Sequence, residues 1–291
     1  MPAAPPDAAP PDAAPPDSAP LAASRTWRRA FGDLVAGWQQ RELWGHLGWQ
    51  DIRQRYRRSV LGPLWITISM AVTAAALGLL YSQLFAQPLK TFLPYVTVGF
   101  IVWGFIQGCI NEGTEVFTAN EGLIRHLPSP ISVHVFRLIW RQILFFAHNL
   151  AVYLVMVVFF DVRLGPGTLL AIPAFVLLVL NGIWVALLVG IVSTRFRDIP
   201  PVTQSIVQLM FFLTPIVWVY DQLLENPRTA ARARLVEFNP FLHFVEIIRR
   251  PLLGQSFEPR YWYVVIAITV VGWLLALVFM RNYRARVSYW V

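Results

Sequence analysis

"TLLAIPAFVLLVLNGIWVALLVGIVS", residues 168–193, contains no Asp, Glu, Lys, Arg or His. A helix needs about 20 mostly apolar residues to cross the hydrocarbon core of a bilayer, so this stretch is long enough to span a membrane. Five other long and predominantly apolar stretches lie at 61–86, 92–115, 132–160, 199–220 and 261–280. The sequence therefore predicts an all-α integral membrane protein with six spanning helices.

The composition favours the same class of protein. Hydrophobic residues make up 56% of the chain and charged residues 14%, whereas about a quarter of the residues in a soluble domain are charged. The net charge of +8 would indicate nucleic acid as a partner in a soluble protein. In a membrane protein it is typical of arginine-rich cytoplasmic loops, so we expect no nucleic-acid partner.

The distribution of arginines predicts the orientation in the membrane. Arginines cluster before the first predicted span, in the connections after the second and the fourth, and after the sixth. The short connections on the other side hold only Lys90 and Arg163, although 221–260 contains further arginines. Because basic residues near span ends stay in the cytoplasm, we expect a multi-pass protein with both termini cytoplasmic.

Two segments precede the first predicted span. Residues 1–24 contain "AAPPD" three times, a composition that predicts a disordered cytoplasmic tail. In residues 25–60, aromatic and aliphatic residues recur at helical spacing between arginines, which predicts an amphipathic helix in the membrane interface. Several glycines make two short helices an equal alternative, and a helix packed on the bundle is a further one.

The segment 221–258 is neither a plain loop nor a span. Within it, "NPFLHFVEIIRRPLLGQ" at 239–255 has a short apolar run bounded by Pro240 and Pro251. Apolar pieces of roughly 10–14 residues are too short to cross a bilayer and are typical of re-entrant or interfacial helices. We therefore predict a re-entrant helical segment on the external face, before the last span.

The chemistry that the sequence lacks narrows the function. A P-loop needs Gly-Lys-Ser/Thr, but Lys90 is the sole lysine and it follows Leu89. The five histidines are scattered without the spacing of metal ligands, and the single cysteine, Cys109, lies in an apolar run. His148 is interpreted as an interhelical hydrogen-bonding residue rather than a proton relay. These features predict a transporter subunit and not an enzyme, with no metal in this chain.

Aromatic residues in the predicted spans offer surfaces for sugar rings, whose apolar C–H faces stack on aromatic side chains. The candidates for lining such a path are Tyr81, Phe100, Trp103, Phe211, Phe212 and Trp218. The alternative is that they are lipid-facing bulk and interfacial anchors.

The stretch "NEGTEVFTANEGLIRH", residues 111–126, repeats Asn-Glu-Gly between two apolar spans. Asn120 is expected to cap a short cytoplasmic helix at about 119–128, with Glu121 at its positive N-terminus. Leu123, Ile124 and Leu127 would form a small apolar face on this helix. A solvated connector is the alternative.

Four short motifs then occur in a characteristic order, and they resemble one family. They are "RQRYRRSVLGPLW" at 53–65, "NEG…LIRHLPSPISVHVFR" at 111–137, "RFRDI" at 195–199 and "NPF…IIRRPLLG" at 239–254. From about residue 30 onward the chain resembles the ABC-2-type permeases of bacterial polysaccharide exporters, which carry O-antigens, teichoic acids and some capsules. The teichoic-acid and capsule exporters, exporters of drugs or lipids, and a membrane-bound glycan-modifying enzyme remain alternatives.

The resemblance implies partners and a site in the bacterial inner membrane. It implies a homodimer that binds two copies of a separate ABC ATPase, where ATP and Mg would be bound; this chain would hold no cofactor. The dimer would export an undecaprenyl-pyrophosphate-linked polysaccharide. The implied ATPase-docking coupling helix comprises Asn120, Glu121, Leu123, Ile124, Arg125, His126 and Leu127. The lipid pyrophosphate would approach Arg53, Arg55, Arg57 and Arg58. An external gate at about 221–258 would include Asn239, Phe241, Phe244, Arg249 and Arg250.

Overall fold

The computed structural model describes residues 25–126, 129–160, 162, 164–225, 227 and 230–291. The predicted tail, residues 1–24, and Leu127 lie outside the described residues. Over the described part the regular structure is helical, without strands. Its α-helices are α1 (Trp27–Gln39), α2 (Arg41–Arg55), α3 (Leu64–Leu84), α4 (Leu89–Thr114), α5 (Glu121–His126), α6 (Ser132–Phe159), α7 (Ala171–Arg195), α8 (Ile199–Leu213), α9 (Tyr220–Glu225), α10 (Ala230–Ala233), α11 (Pro240–Leu252) and α12 (Pro259–Trp290).

Five of the described helices are long and apolar enough to cross a membrane. They are α3, α4, α6, α7 with the 3-10 turn that precedes it, and α12. Each coincides with one of the predicted spans. The prediction of an all-helical membrane protein is therefore confirmed, and the spans themselves are placed to within a few residues except at the end of α12, which runs on to Trp290.

The fifth predicted span, 199–220, differs from the structure. Its helix α8 has 15 residues and so rises roughly 22 Å, less than the ~30 Å of a bilayer core. The chain leaves the helix at Thr214, which is extended at φ −93° and ψ 138°. The residue before a proline is pushed out of the helical region, so Pro215 ends the helix. The prediction of one continuous spanning helix over 199–220 is therefore not met, because Pro215 lies beyond the end of α8.

Helix α4 forms the centre of the bundle. It packs against α3, α6, α7, α8 and α11, and most of its side chains are buried. A Cβ on Gly190 of α7 would lie 2.6 Å from Val116 and 3.0 Å from the carbonyl oxygen of Gly113. Glycine at this position thus lets α7 approach the end of α4 closely, and the two helices form a tightly packed pair.

The amphipathic region folds as two helices, α1 and α2, separated at Gln40. The carboxylate of Asp33 on α1 accepts hydrogen bonds from the backbone N–H groups of Ile131 (3.3 Å) and Ser132 (3.1 Å). These are unpaired donors at the start of α6, so Asp33 caps a helix other than its own. Arg284 of α12 also donates to Asp33 at 3.0 Å, which fixes α1 between α6 and α12.

The opposite face of α1 is apolar and exposed. Trp27, Phe31, Val35 and Trp38 are each about half exposed, and they follow one another along one side of the helix. Helix α1 therefore combines two of the arrangements considered from sequence. One face packs on the bundle, and the other presents the apolar side chains that suit a membrane interface.

Candidate functional site

A groove of about 610 Å³ opens between α3, α4 and α8. We term it the polar–aromatic groove, because its walls carry both aromatic rings and carboxamides. Its principal lining residues are Phe100, Trp103, Gln107, Asn111, Gln204, Gln208, Phe211 and Phe212. The groove follows α4 from Phe100 to Asn111, which is roughly 16 Å along the helix axis. It therefore extends over much of one spanning helix.

The rings of the groove contact one another. The centroid of Phe211 lies 5.7 Å from that of Phe100 and 5.8 Å from that of Trp103. Phe211 and Phe212 are 5.2 Å apart. The structure thus brings together four of the six aromatics singled out from sequence. The other two, Tyr81 and Trp218, belong to the same group of packed apolar side chains. Tyr81 stacks on Phe85, and Trp218 donates to the carbonyl oxygen of Phe212.

Four carboxamides share the groove with these rings, and the sequence analysis did not identify them. Gln204 and Gln208 are exposed on α8, and Gln107 is exposed on α4. The side-chain oxygen of Asn111 is buried and has no hydrogen-bond partner among the described residues. Because polar groups in contact with lipid hydrocarbon are costly, these amides indicate a face that meets water, a polar ligand or another protein. Their helical spacing with Phe100 and Phe211 was a signal that could have revealed them.

A cluster of charged side chains joins α2, α4 and α6 at the end of the bundle that carries α5. Asp51 of α2 pairs with Arg137 (2.5 Å) and Arg141 (2.7 Å) of α6. Arg141 also pairs with Glu112 of α4 at 2.5 Å, and Gln142 donates to Glu112 at 2.8 Å. We term these five residues the basic-end network. Glu112, Arg137 and Arg141 border a cavity of about 290 Å³.

The arginines of the basic-end network favour the charged form of Asp51. Burial opposes ionisation of Asp51, but hydrogen bonds and charges from Arg137 and Arg141 outweigh this cost, so the pKa of the carboxyl lies below its usual value. Glu112 belongs to the first Asn-Glu-Gly, whose role the sequence left open. The structure shows that it ties the end of α4 to α6.

The four arginines expected near a lipid pyrophosphate lie around the end of α2. Arg53, Arg57 and Arg58 are exposed. Arg55 lies 3.9 Å from Glu112 and 5.5 Å from the ring of Phe145. All four arginines are therefore exposed, and one of them, Arg55, also reaches the basic-end network.

The predicted docking helix is α5, preceded by a 3-10 turn at Thr118–Asn120. Glu121 and Arg125 form an i,i+4 pair at 2.9 Å, and Arg125 also donates to the main-chain oxygen of Val291. Ile124 packs against the core of the bundle, and His126 is exposed. Leu123 is half-buried and, unlike Ile124, is not among the side chains packed against that core.

The prediction that Asn120 caps α5 was wrong. Its side-chain oxygen accepts from Arg137 at 3.0 Å, and its side-chain nitrogen donates to the carbonyl oxygen of Val116 at 2.8 Å. Arg137 is a charged donor, and charge-assisted hydrogen bonds are stronger than those from backbone amides. Asn120 therefore links the turn before α5 to the basic-end network instead of closing the helix N-terminus.

Arg249 of α11 is fully buried at the other end of the bundle. Its guanidinium donates to Glu246 at 2.9 Å and to the carbonyl oxygen of Pro215 at 2.7 Å. It also lies 3.8 Å above the ring of Tyr95 on α4. We term Tyr95, Pro215, Glu246 and Arg249 the Arg249 cluster. It holds the break after α8 against α4 and α11, and Glu246 is a central residue that the sequence analysis missed.

The remaining residues of the predicted gate surround this cluster. Asn239 caps α11 by accepting from the N–H of Phe241 at 3.0 Å, and it also donates to Thr214 at 2.9 Å. Phe241 contacts Trp103 at 5.4 Å, which brings the start of α11 to the groove. Phe241 and Phe244 both line an apolar cavity. Arg250 pairs with Glu246 at 3.2 Å.

A second ion pair secures the segment between α9 and α11. Tyr220 donates to Glu237 at 2.7 Å, and Arg260 donates to the same carboxylate at 2.9 Å. The hydrogen bond from Tyr220 and the charge of Arg260 lower the pKa of Glu237 against the opposing effect of burial. The chain from Tyr220 to Glu237 is thereby tied to the start of α12.

No group of three His, Cys, Asp or Glu side chains that could hold a metal occurs within the described residues. The described site consists instead of a groove, a charged network at one end and a buried arginine cluster at the other. Its chemistry suits binding and movement of a polar ligand along spanning helices.

The chain is similar to known proteins of one family. The ABC-2 type transporter family matches residues 42–253. The O-antigen export system permease protein RfbA of Myxococcus xanthus is 21% identical over 206 residues, which cover 70% of this chain and 78% of that protein. Two proteins of the same name from Klebsiella pneumoniae are 20% identical over 228 and 240 residues. These alignments cover 77% and 81% of this chain and 86% and 90% of the relatives.

The family match extends from α2 to α11 and includes the groove, the basic-end network and the Arg249 cluster. The resemblance inferred from the four short motifs is thereby confirmed. The protein is a multi-pass membrane protein that belongs to the ABC-2 type transporter family.

Proposed function

We propose that the protein is the transmembrane subunit of an exporter that moves a lipid-linked polysaccharide of the O-antigen type across the bacterial inner membrane. The polar–aromatic groove is the observation that carries this proposal. Aromatic rings stack on the apolar faces of sugars, and carboxamides both donate to and accept from hydroxyl groups. The names of the relatives favour O-antigen over teichoic acid, capsule or a drug.

The groove is one wall of the proposed channel, and a second copy of the chain supplies the other wall. Exposed amides on α4 and α8 require a polar neighbour at membrane depth, and a homodimer that encloses water and polymer provides it. The polymer's undecaprenyl pyrophosphate would approach Arg53, Arg55, Arg57 and Arg58, because phosphates bind arginine through charge-assisted hydrogen bonds.

The proposed topology has six crossings with both termini in the cytoplasm. Helix α8 and the non-helical residues after Leu213 together make the fifth crossing. Non-helical backbone at membrane depth is tolerated where protein satisfies its polar groups. Arg249 donates to the carbonyl oxygen of Pro215, and Tyr95 donates to those of Pro215 and Trp218. Helix α11 is the re-entrant helix, and Asn239, Phe241, Phe244, Arg249 and Arg250 form the external gate.

Energy is proposed to come from two copies of a separate ABC ATPase, which bind ATP and Mg. Helix α5 docks on this partner through Leu123 and its exposed neighbours. Movement at α5 reaches the spanning helices through Asn120, whose hydrogen bond to Arg137 connects it to Asp51 and, by way of Arg141, to Glu112. The basic-end network thus links the docking helix with α2, α4 and α6.

An ATPase assay in reconstituted membranes tests whether ATP is hydrolysed by the partner and not by this chain. The purified chain alone should show no ATP hydrolysis above that of empty vesicles. Together with its ATPase partner, hydrolysis should depend on both chains and rise when lipid-linked polymer is supplied. Hydrolysis by the purified permease itself would overturn the assignment.

Leu123→Asp should prevent assembly with the ATPase while leaving the permease in the membrane. The change places a charge on a six-residue helix at a leucine that does not pack on the core of the bundle, and burial of that charge against a partner would require costly desolvation. Co-purification of the two chains measures the effect. Ile124 is less suitable, because it packs on the bundle itself.

Thr118→Asp is the matched control for this prediction. Thr118 is exposed on the 3-10 turn directly before α5, so the variant adds the same charge nearby. The control should assemble normally. Full assembly of the Leu123→Asp variant would contradict the assignment of α5 as the docking helix.

A further inference from the structure

A second cavity, of about 330 Å³, lies behind α8 and is bounded by α4, α7, α8, α11 and α12. We term it the apolar crevice. Helices α7 and α8 are joined by a short connection but diverge beyond it, so that α8 packs mainly on α4. The crevice fills the space that this divergence leaves between them. From Leu178 to Val189 it follows α7 for roughly 16 Å.

The side chains that line the crevice are mostly apolar. Phe105, Val185, Ile206 and Phe244 are among its lining residues. Asn181 also borders it, but its amide is already engaged by Thr269, by the carbonyl oxygen of Leu177 and by the indole N–H of Trp184. Water needs two or more polar partners in a cavity, so this one is not suited to water.

An empty space of this size is unfavourable. The crevice has roughly twice the volume of the ~150 Å³ apolar cavity that is known to remain dry and to take up small hydrophobic molecules. Because its walls belong to membrane-spanning helices, hydrocarbon chains are the apolar material that surrounds it. A lipid chain would restore the dispersion contacts that the lining atoms otherwise lack.

Charge at one end of the crevice indicates which lipid would enter. Val189 precedes Arg195 by roughly 9 Å along α7, and the turn into α8 carries Arg197 as well. Asp198 is the acidic residue of this turn, so the turn is basic overall. Arg195 lies over the rings of Phe196 and Trp290. A phosphate at this turn would place its acyl chain in line with the crevice.

We propose that the apolar crevice holds one acyl chain of a resident membrane phospholipid, whose phosphate lies at the Arg195–Arg197 turn. The lipid is distinct from the transported substrate, because α8 separates the two sites. Thr203, Ile206 and Val207 face the crevice, whereas Gln204, Gln208 and Phe211 face the polar–aromatic groove. The acyl chain would fill the space between α7 and α8 and so hold α8 in place. This proposal does not depend on what the protein transports.

The test uses the full chain purified in mild detergent and analysed by native mass spectrometry. Wild type should retain one phospholipid per chain after gel filtration. Val185→Trp, which fills the crevice, should lower this occupancy roughly tenfold or more. Val176→Trp is the matched control, because Val176 is on the same helix, is 52% exposed and does not line the crevice; this variant should keep the lipid.

A second crevice-filling variant and a lipid-preference measurement extend this test. Ile206→Trp fills the crevice from a half-exposed position on α8, so it replaces Val185→Trp if that variant unfolds. In nanodiscs that contain both phosphatidylglycerol and phosphatidylcholine, the wild-type protein should retain several-fold more phosphatidylglycerol than phosphatidylcholine. Arg197→Gln should lose this preference. Equal occupancy in the crevice-filling variants and the control, a retained polyprenyl lipid, or a lipid-free wild type would each overturn the proposal.

Discussion

Replacing Gly104 with Trp should abolish polymer export while the protein stays folded and in the membrane. Gly104 is exposed in the polar–aromatic groove, and a Cβ at this position would meet no atom within 4 Å. The indole therefore has room in the single chain but occupies the space through which sugars are proposed to pass. Export to the cell surface, measured in cells that carry this variant as their single copy, should fall to the level of cells without the gene.

Gly32→Trp provides the control for this substitution. Gly32 lies on α1, and a Cβ there also has no neighbour within 4 Å. The control adds the same side chain to a helix outside the groove and should export normally. Normal export by the Gly104→Trp variant would show that the groove is not the path, while loss of both proteins from the membrane would point to an insertion defect.

Glu246→Ala should destabilise the protein by about 3–5 kcal/mol, the typical cost of leaving a buried charge without its partner. Glu246 is 5% exposed and pairs with both Arg249 and Arg250. Arg249 is fully buried, and its Nε and Nη2 atoms already have no hydrogen-bond partner among the described residues. Removing the carboxylate would leave this guanidinium with the carbonyl oxygen of Pro215 and the ring of Tyr95 as its remaining contacts.

Thermal unfolding of the purified protein measures the effect of Glu246→Ala. Arg249→Met should cost less than Glu246→Ala, because it removes the buried charge instead of isolating it. Glu225→Ala is the control, since Glu225 is exposed on α9, and it should unfold like the wild type. An unchanged unfolding temperature for Glu246→Ala would mean that the Arg249 cluster does not hold the α8 break.

The positions of the spanning helices could be predicted because their signal is local. A long apolar run without charge is evident in each of the five helices, and no distant contact is needed to recognise it. The end of α8 was also within reach of sequence reasoning, since Thr214 is extended directly before Pro215. It was missed because prolines are tolerated in many spanning helices, and their effect depends on what replaces the lost hydrogen bond.

The contacts of the site depend on distant residues and were only partly predictable. Asn120 was expected to cap α5, but Arg137 takes its side-chain oxygen from another helix. Asp51 and Glu112 are far apart in sequence, yet both form ion pairs with Arg141. In the groove, the aromatics were identified because the sequence is rich in them, whereas the carboxamides were overlooked although they share the helical spacing of these rings.

The location of the polymer in cells that lack the gene tests the central proposal most directly. Lipid-linked polysaccharide should be made normally but accumulate on the cytoplasmic side of the inner membrane, and a plasmid carrying the wild-type gene should restore its export. The measurement is the fraction of polymer accessible to a glycan-binding probe added outside the inner membrane. We predict that this fraction falls to near zero without the gene; an unchanged fraction would contradict the proposal that this protein exports the polymer.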